Sequence, residues 1–191
     1  MSKLRCNHIT LFIQEIMNVR TNKVIIRKST LSDAYEVAKI HVKSWQQSYK
    51  SIIDEHYLRN ISFRDRLDLR NKILHNNDQT QIHLVAIYKE KIIGFCDAGP
   101  SRDIASDYLG EIYAIYLLEK FKRLGIGNQF LKTAHQYLAQ KKLLPYVAWV
   151  LKNNYGACAF YQRNGGVLAG EKLKEIGGKN YTVSAYIFGK K

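Results

Sequence analysis

Apolar residues along this chain follow two periods, a strand-like alternation and a helix-like recurrence. Runs rich in β-branched and aromatic residues predict strands at 24–27, 82–88, 92–98, 111–117, 146–151 and 181–188. Helix-period stretches follow residues 30 and 62, continue from 125 to about 140, and occupy 157–163. The predicted order is a strand, two helices, three strands, a helix, a strand, a helix and two strands, the last two of which are separated by a turn at 177–180. This order predicts an α/β fold, a mixed sheet of about seven strands flanked by about four helices.

Short polar signals mark the ends of several elements. Thr30 and Asp33, and again Ser62 and Asp65, have the capping-box spacing, in which a hydroxyl and a carboxylate satisfy free N–H groups at a helix start. The charged segment 89–91 separates two strand-like runs and predicts a hairpin. No internal repeat, low-complexity tract or linker interrupts the chain, so we expect one domain.

Composition narrows the class of protein. The chain has 191 residues, 46% of them hydrophobic, which fits a single well-buried globular domain. Cys6, Cys96 and Cys158 are far apart and form no Cys-x-x-Cys pair, so neither a disulfide framework nor a zinc site is indicated. The apolar runs are too short to cross a membrane, and no secretory signal is visible. We therefore expect a cytoplasmic protein with no membrane partner and no metal site.

The net charge has two interpretations. The formal charge is +14 and the sequence pI is near 9.7, values that are typical of proteins that bind nucleic acid or the ribosome. The alternative is a solvated lysine-rich surface that also attracts a polyanionic ligand. Because lysine and arginine are spread along the chain without a long basic tract, we favour the second interpretation.

A short basic turn joins the strand that ends near residue 117 to the following helix. Gly125 and Gly127 allow the backbone to approach a ligand closely, and Lys122 and Arg123 add positive charge. Backbone N–H groups at the start of the helix, with the positive end of its dipole, favour an anion. The turn has neither the Gly-Lys-Ser/Thr of a P-loop nor the third glycine of a dinucleotide fingerprint. It predicts a phosphate or pyrophosphate site.

The turn also resembles a family signature. The run Lys122-Arg123-Leu124-Gly125-Ile126-Gly127 is similar to the Arg/Gln-x-x-Gly-x-Gly/Ala motif of the GNAT N-acetyltransferase superfamily, which binds the pyrophosphate of acetyl-coenzyme A. A second element of that family, Asn-x-x-Ala-x-x-Phe-Tyr…Gly, is matched by Asn154, Ala157, Phe160, Tyr161 and Gly165. Lys122 departs from the usual Arg or Gln. Gly166 stands where many members have Phe. A bacterial subset also has Gly-Gly at this place, followed by a Gly-Glu-Lys turn that is similar to residues 170–172.

The resemblance covers about residues 24–188 and implies a GNAT domain at 23–191 with acetyl-coenzyme A as co-substrate. Residues 1–22 are an N-terminal extension of unknown role, unless Met17 is an alternative start. In the family, backbone amides of the turn hold the pyrophosphate, while the preceding strand and the asparagine hold the pantetheine arm. The implied cofactor-binding residues are Ile115, Tyr116, Leu117, Lys122, Arg123, Leu124, Gly125, Ile126, Gly127, Asn128, Asn154 and Tyr161.

Two residues are candidates for catalysis. An alkylammonium must lose a proton before it can attack a thioester, and the resemblance implies Glu111 as that base. Alternation along the strand would place Glu111, Tyr113 and Ile115 on one face. The family counterpart of Tyr161 protonates the departing thiolate. The alternatives are a structural ion pair for Glu111 and a core position for Tyr161.

The acceptor is less well defined by the sequence. Trp45 and Tyr49 match a Trp…Tyr segment near the acceptor side in the related bacterial subset, although Trp45 is equally well explained as a core residue. We expect a primary amine, a small molecule rather than a protein, that attacks acetyl-coenzyme A directly in a ternary complex. The rival hypotheses are a non-catalytic coenzyme A sensor and a basic nucleic-acid-binding protein. Dimers are common among similar proteins, so a homodimer remains open.

Overall fold

A computed structural model describes residues 24–103 and 107–189, so the predicted extension at 1–22 lies outside the described residues. In the described part of the chain, the strands form one mixed sheet in the order β1-β2-β3-β4-β5-β7-β6. This sheet confirms the predicted α/β fold. Its strands are β1 Ile25–Lys28, β2 Ile82–Tyr88, β3 Lys91–Pro100, β4 Gly110–Leu117, β5 Tyr146–Leu151, β6 Val167–Ile176 and β7 Lys179–Phe188.

The described residues contain five α-helices, one more than the pattern predicts. The unpredicted helix is the second, which is too short for a helical period to be visible in its sequence. None of the helices in the described ranges has the length and apolarity that crossing a membrane requires. The helices are α1 Ala34–Ser48, α2 Glu55–Arg59, α3 Phe63–Asn76, α4 Ile126–Gln140 and α5 Tyr155–Arg163.

Helices cover both faces of the sheet, and each face has its own apolar core. On one face α4 buries Phe130 and Leu138 against the sheet, in the larger hydrophobic cluster. On the other face α1 buries Val37 and Ile40 against β2 and β3. These positions recur at the helical period, so each helix presents one apolar stripe to the sheet.

The strands β4 and β5 separate part of the way along their length. They run parallel and pair from Gly110 opposite Tyr146 to Ile112 opposite Ala148, where their pairing ends. Pairing of β4 with β3 continues to Leu117, so only the edge that faces β5 is open. The separation begins at Tyr113, where β4 has one residue more than β3. Such a bulge bends a strand and interrupts its pairing, and here it opens a gap in the centre of the sheet.

Candidate active site

The basic turn sits where β4 ends and α4 begins. A short 3₁₀ turn, Glu119–Phe121, leaves the strand, and α4 starts at Ile126 directly after Gly125. The Gln129 N–H donates to the Gly125 carbonyl at 3.1 Å, which closes the first turn of the helix. The N–H groups of the three residues before Gln129 therefore have no carbonyl partner within the helix. This end of α4 can bind an anion with several backbone donors and with its dipole.

The two glycines of the turn are needed for different reasons. Gly125 has a φ of +82°, a left-handed conformation that costs other residues energy. Gly127 lies in α4 against α5, where an added Cβ would stand 3.1 Å from Cε2 of Phe160. Gly125 therefore shapes the turn, while Gly127 permits close packing of α4 against α5.

Lys122 is held within the turn. Its N–H donates to the Glu119 carbonyl at 3.1 Å, and its ammonium lies 2.6 Å from a Glu119 carboxylate oxygen. The same ammonium donates to the Ser48 hydroxyl at 3.2 Å, at the end of α1. Leu124 packs on the larger core cluster, and Arg123 is exposed with a φ of +62°. Of the two basic residues, Arg123 is the one whose side chain is not committed to other described residues.

Asparagines bring α5 to the edge of this turn. The Asn154 side-chain oxygen accepts the Ala157 N–H at 3.2 Å and caps α5. The amide NH₂ of Asn154 makes no hydrogen bond within 24–103 and 107–189. At the other end of α5, the Asn164 amide donates to Asn128 at 3.2 Å, so the helix end is tied to the start of α4. The sequence reasoning missed Asn164, because the contact depends on how two helices approach each other.

Tyr161 projects from α5 into the larger cluster. It is only 8% exposed, and its ring stacks on Tyr186 with the centroids 6.0 Å apart. Burial raises the pKa of the Tyr161 hydroxyl well above its usual range, and negative charge on Cys96 or Tyr49 would raise it further. The hydroxyl is therefore protonated at neutral pH, and in this state it can donate a proton or a hydrogen bond.

Glu111 is engaged in an ion pair. Its side chain is buried, and its carboxylate accepts hydrogen bonds from the backbone N–H of Arg102 and from Nε of Arg102, both at 3.1 Å. A further short contact joins Nη2 of Arg102 to Oε1 of Glu111. The ion-pair alternative therefore matches the structure. Arg102 was missed because nothing in the sequence links it to Glu111.

The predicted facing of β4 is wrong in one respect. Ile115 and Ile112 both pack in the larger cluster, although they are three residues apart. Tyr113 lies with Glu111 as predicted, since the Arg102 guanidinium pairs with Glu111 and stacks 4.6 Å from the centroid of the Tyr113 ring, so it is Ile115 that departs from the predicted face. The bulge at Tyr113 shifts the alternation by one residue, and a strict period of two cannot represent it.

An aromatic group lies on the α1 face of β4. The Trp45 and Tyr49 rings meet edge to face with centroids 5.1 Å apart, and the hydroxyls of Tyr49 and Tyr116 are 3.1 Å apart. His41 stacks on Tyr116 at 5.5 Å. Burial raises the pKa of Tyr49 above its usual value. Trp45 and Tyr49 therefore lie beside the part of β4 that has left β5, with both rings partly buried.

Comparison with known proteins identifies the class. The model of the acetyltransferase (GNAT) family matches residues 37–166, and the chain belongs to this family of acyltransferases. It is 31% identical over 162 residues to the uncharacterized N-acetyltransferase YuaI of Bacillus subtilis (strain 168), covering 81% of this chain and 91% of the relative.

Two further relatives have more specific names. A spermidine N(1)-acetyltransferase of Thermoplasma acidophilum is 24% identical over 144 residues, covering 73% of this chain and 86% of that protein. The crystal structure of PaiA N-acetyltransferase from Thermoplasma acidophilum, in complex with coenzyme A, has the same fold, with a TM-score of 0.65 at 22% identity. That match covers 85% of this chain and 98% of the other.

Proposed function

We propose that this chain transfers the acetyl group of acetyl-coenzyme A to a primary amine, which attacks the thioester directly in a ternary complex. The observation that carries the proposal is the open edge of β4 beyond Ile112, which ends at the free amides of the α4 start. The bound coenzyme A of the PaiA structure supports the same ligand class.

The cofactor is proposed to lie along the open edge of β4. The pantetheine arm contains amide groups, so it can pair with the backbone of Ile115–Leu117 as an added strand. The free amide NH₂ of Asn154 is available to a pantetheine carbonyl from the opposite side of the gap. The amides of Ile126, Gly127 and Asn128 and the side chain of Arg123 then hold the pyrophosphate.

The reaction proposed needs one proton acceptor and one proton donor. The neutral amine attacks the thioester carbon, the C–S bond breaks, and the Tyr161 hydroxyl protonates the departing thiolate. The proton that the nitrogen loses on becoming an amide returns to the Tyr161 oxygen. Glu111 takes the proton of the ammonium, directly or through a water, once Arg102 releases one carboxylate oxygen. Backbone N–H groups of β4 polarise the carbonyl. The acceptor, a small molecule in this proposal, enters past Trp45 and Tyr49.

A coenzyme A sensor without catalysis is the second candidate. It is favoured by one observation, the engagement of both Glu111 carboxylate oxygens by Arg102. A sensor would keep that pair intact with the cofactor bound, whereas an enzyme must open it during each turnover.

Calorimetric titration with acetyl-coenzyme A tests the shared part of both candidates. Desulfo-coenzyme A should bind as well, and ATP, which has phosphates but no pantetheine, should bind at least about tenfold more weakly. No binding by the folded protein would refute both. An amine panel with acetyl-coenzyme A then separates them, since only the enzyme releases free thiol in an amine-dependent way. The Glu111→Gln variant should lose this release, and an unchanged rate would remove Glu111 as the base.

A further inference from the structure

Three cationic side chains gather on the acceptor side of the sheet. Lys172 and Lys174 lie on β6 opposite Val183 and Tyr181 of β7. Val183 and Tyr181 belong to the apolar cluster that contains Trp45 and Tyr49, so this is the face of the hairpin that looks toward α1 and α2. Arg102 approaches the same region from the segment that follows β3 and contacts Glu111 there.

The nearby carboxylates do not balance these charges. Glu111 is taken by Arg102, and Asp103 by the Lys172 ammonium at 2.9 Å. Lys172 also stands 4.0 Å above the centroid of the Trp149 ring, which fixes its position. Lys174 has no ion pair with any residue in 24–103 or 107–189. It is the cation of the group that is available to a ligand.

Lys174 lies on the same face of β6 as Lys172, which pairs with Asp103, and the charges of Arg102 and Glu111 both act on its ammonium. Its pKa is lowered, first by desolvation of the ammonium and then by the positive charge of Arg102, with Glu111 acting in the opposite sense. An anion bound beside Lys174 would stabilise its charged ammonium. A second ammonium brought by a substrate would destabilise it.

We propose that the acceptor amine carries a carboxylate, as an α-amino acid does, and that Lys174 binds this carboxylate beside Arg102. The inference rests on the proposed function and narrows its acceptor class. It separates this chain from a relative named for spermidine, a polycation, because the cationic group at the acceptor side would repel such a substrate.

The same carboxylate explains how Glu111 becomes available. In the free protein, Arg102 engages both oxygens of Glu111. An acceptor carboxylate offers Arg102 a second anion and thereby competes with Glu111 for the guanidinium. One oxygen of Glu111 is then released next to the substrate ammonium and can accept its proton. Binding of an acceptor with a carboxylate therefore makes the base available.

The test compares matched amines. A panel of α-amino acids is assayed with acetyl-coenzyme A, each as the free acid and as its carboxamide, with spermidine added. The free acids should exceed their carboxamides in kcat/KM by about tenfold or more, the scale of a charge-assisted hydrogen bond. In Lys174→Glu this ratio should fall by about tenfold or more while the KM for acetyl-coenzyme A stays unchanged. Lys91→Glu, at the opposite end of β3 from Arg102, makes the same charge change and should keep the ratio.

The outcomes are distinguishable. Preference for carboxamides or spermidine would overturn the acceptor class. An acid preference that Lys174→Glu leaves intact would overturn the role of Lys174. Both results leave the acetyltransferase proposal standing. If none of the amines in the panel caused release of thiol, the proposed function and this inference would be overturned together. Because Lys174 lies on an exposed strand, the variant is expected to fold, and its unfolding midpoint should equal that of Lys91→Glu.

Discussion

Gly127 of α4 lies directly against Phe160 of α5, so closely that an added methyl group would require the ring to shift by a few tenths of an ångström. A Cβ at Gly127 would meet Cε2 of Phe160 at 3.1 Å and Leu117 of β4 at 3.9 Å. The contact joins the start of α4 to the helix that carries Tyr161. Gly127 thus allows α4 and α5 to approach closely beside the gap between β4 and β5.

A leucine at Gly127 should therefore separate the two helices. Overpacking of this kind costs about 1–3 kcal/mol in unfolding free energy, and the displaced helix start should weaken acetyl-coenzyme A binding by about tenfold or more. Urea unfolding and calorimetry measure the two effects. Gly170→Leu is the matched control, because no atom lies within 4 Å of its added Cβ. Equal binding by the two variants would show that the close packing at Gly127 does not hold the site.

Loss of the Tyr161 hydroxyl should lower turnover and leave cofactor binding intact. In Tyr161→Phe the stacking on Tyr186 remains, and only the hydroxyl that we propose as the proton donor is removed. A general acid contributes about 10²- to 10⁴-fold, so kcat should fall by at least about a hundredfold, with an unchanged Kd for acetyl-coenzyme A. Tyr186→Phe removes a hydroxyl from the stacked partner and should retain activity. A Tyr161→Phe enzyme with normal kcat would assign Tyr161 to the core alone.

The sequence pattern predicts most of the fold because regular elements have regular periods. The strand count and the start of α4 follow from alternation and from the glycine turn. Helix α2 does not, since it spans a single turn and is held by Leu58 in a cluster with Leu151 and Val183, which are distant in sequence. The bulge at Tyr113 is equally invisible, because it is defined only by the register against β3.

The candidate site divides in the same way. Motif residues such as Gly125 and Asn154 act through local geometry, a left-handed turn and a helix cap, which sequence spacing can predict. Arg102, Lys174 and Asn164 act across the fold. Their partners are fixed by strand register and helix approach, so a single sequence contains no signal that pairs them.

The buried ion pair of Arg70 and Asp97 gives a stability prediction. Both side chains are buried, and the guanidinium donates to the two carboxylate oxygens at 2.8 and 2.7 Å. His83 contacts the same carboxylate at 2.8 Å. Burial by itself would raise the pKa of Asp97, but Arg70 and His83 outweigh it and hold this pKa below its usual range. Removing one partner leaves a buried charge without compensation.

Arg70→Met should therefore lower the unfolding free energy by about 3–5 kcal/mol in urea denaturation at neutral pH. Adding Asp97→Asn to that variant should recover part of the loss, because the uncompensated charge is gone. Arg64→Met breaks an exposed pair with Asp68 and should change stability by less than about 1 kcal/mol. A loss in Arg70→Met no larger than in Arg64→Met would mean that water reaches the carboxylate.

His41 predicts how stability depends on pH. Burial, together with the positive charges of Arg66 and Arg70, lowers the pKa of His41 from 6.5 to about 3, against a smaller opposing effect of Asp97. Between these two values the unfolded chain binds a proton at His41 that the folded chain does not bind. The unfolding free energy therefore falls as the pH decreases from about 6.5 toward 3, and it is insensitive to His41 above that window.

The slope contributed by one such group is at most about 1.4 kcal/mol per pH unit. In His41→Phe, which keeps an aromatic ring against Tyr116, the acid loss of stability should be smaller by up to that amount per unit. His56→Phe, at an exposed position of α2, should retain the wild-type dependence. Because both variants replace a histidine with phenylalanine, the difference between them isolates His41. Parallel curves of unfolding free energy against pH would show that its imidazole is protonated within the folded chain.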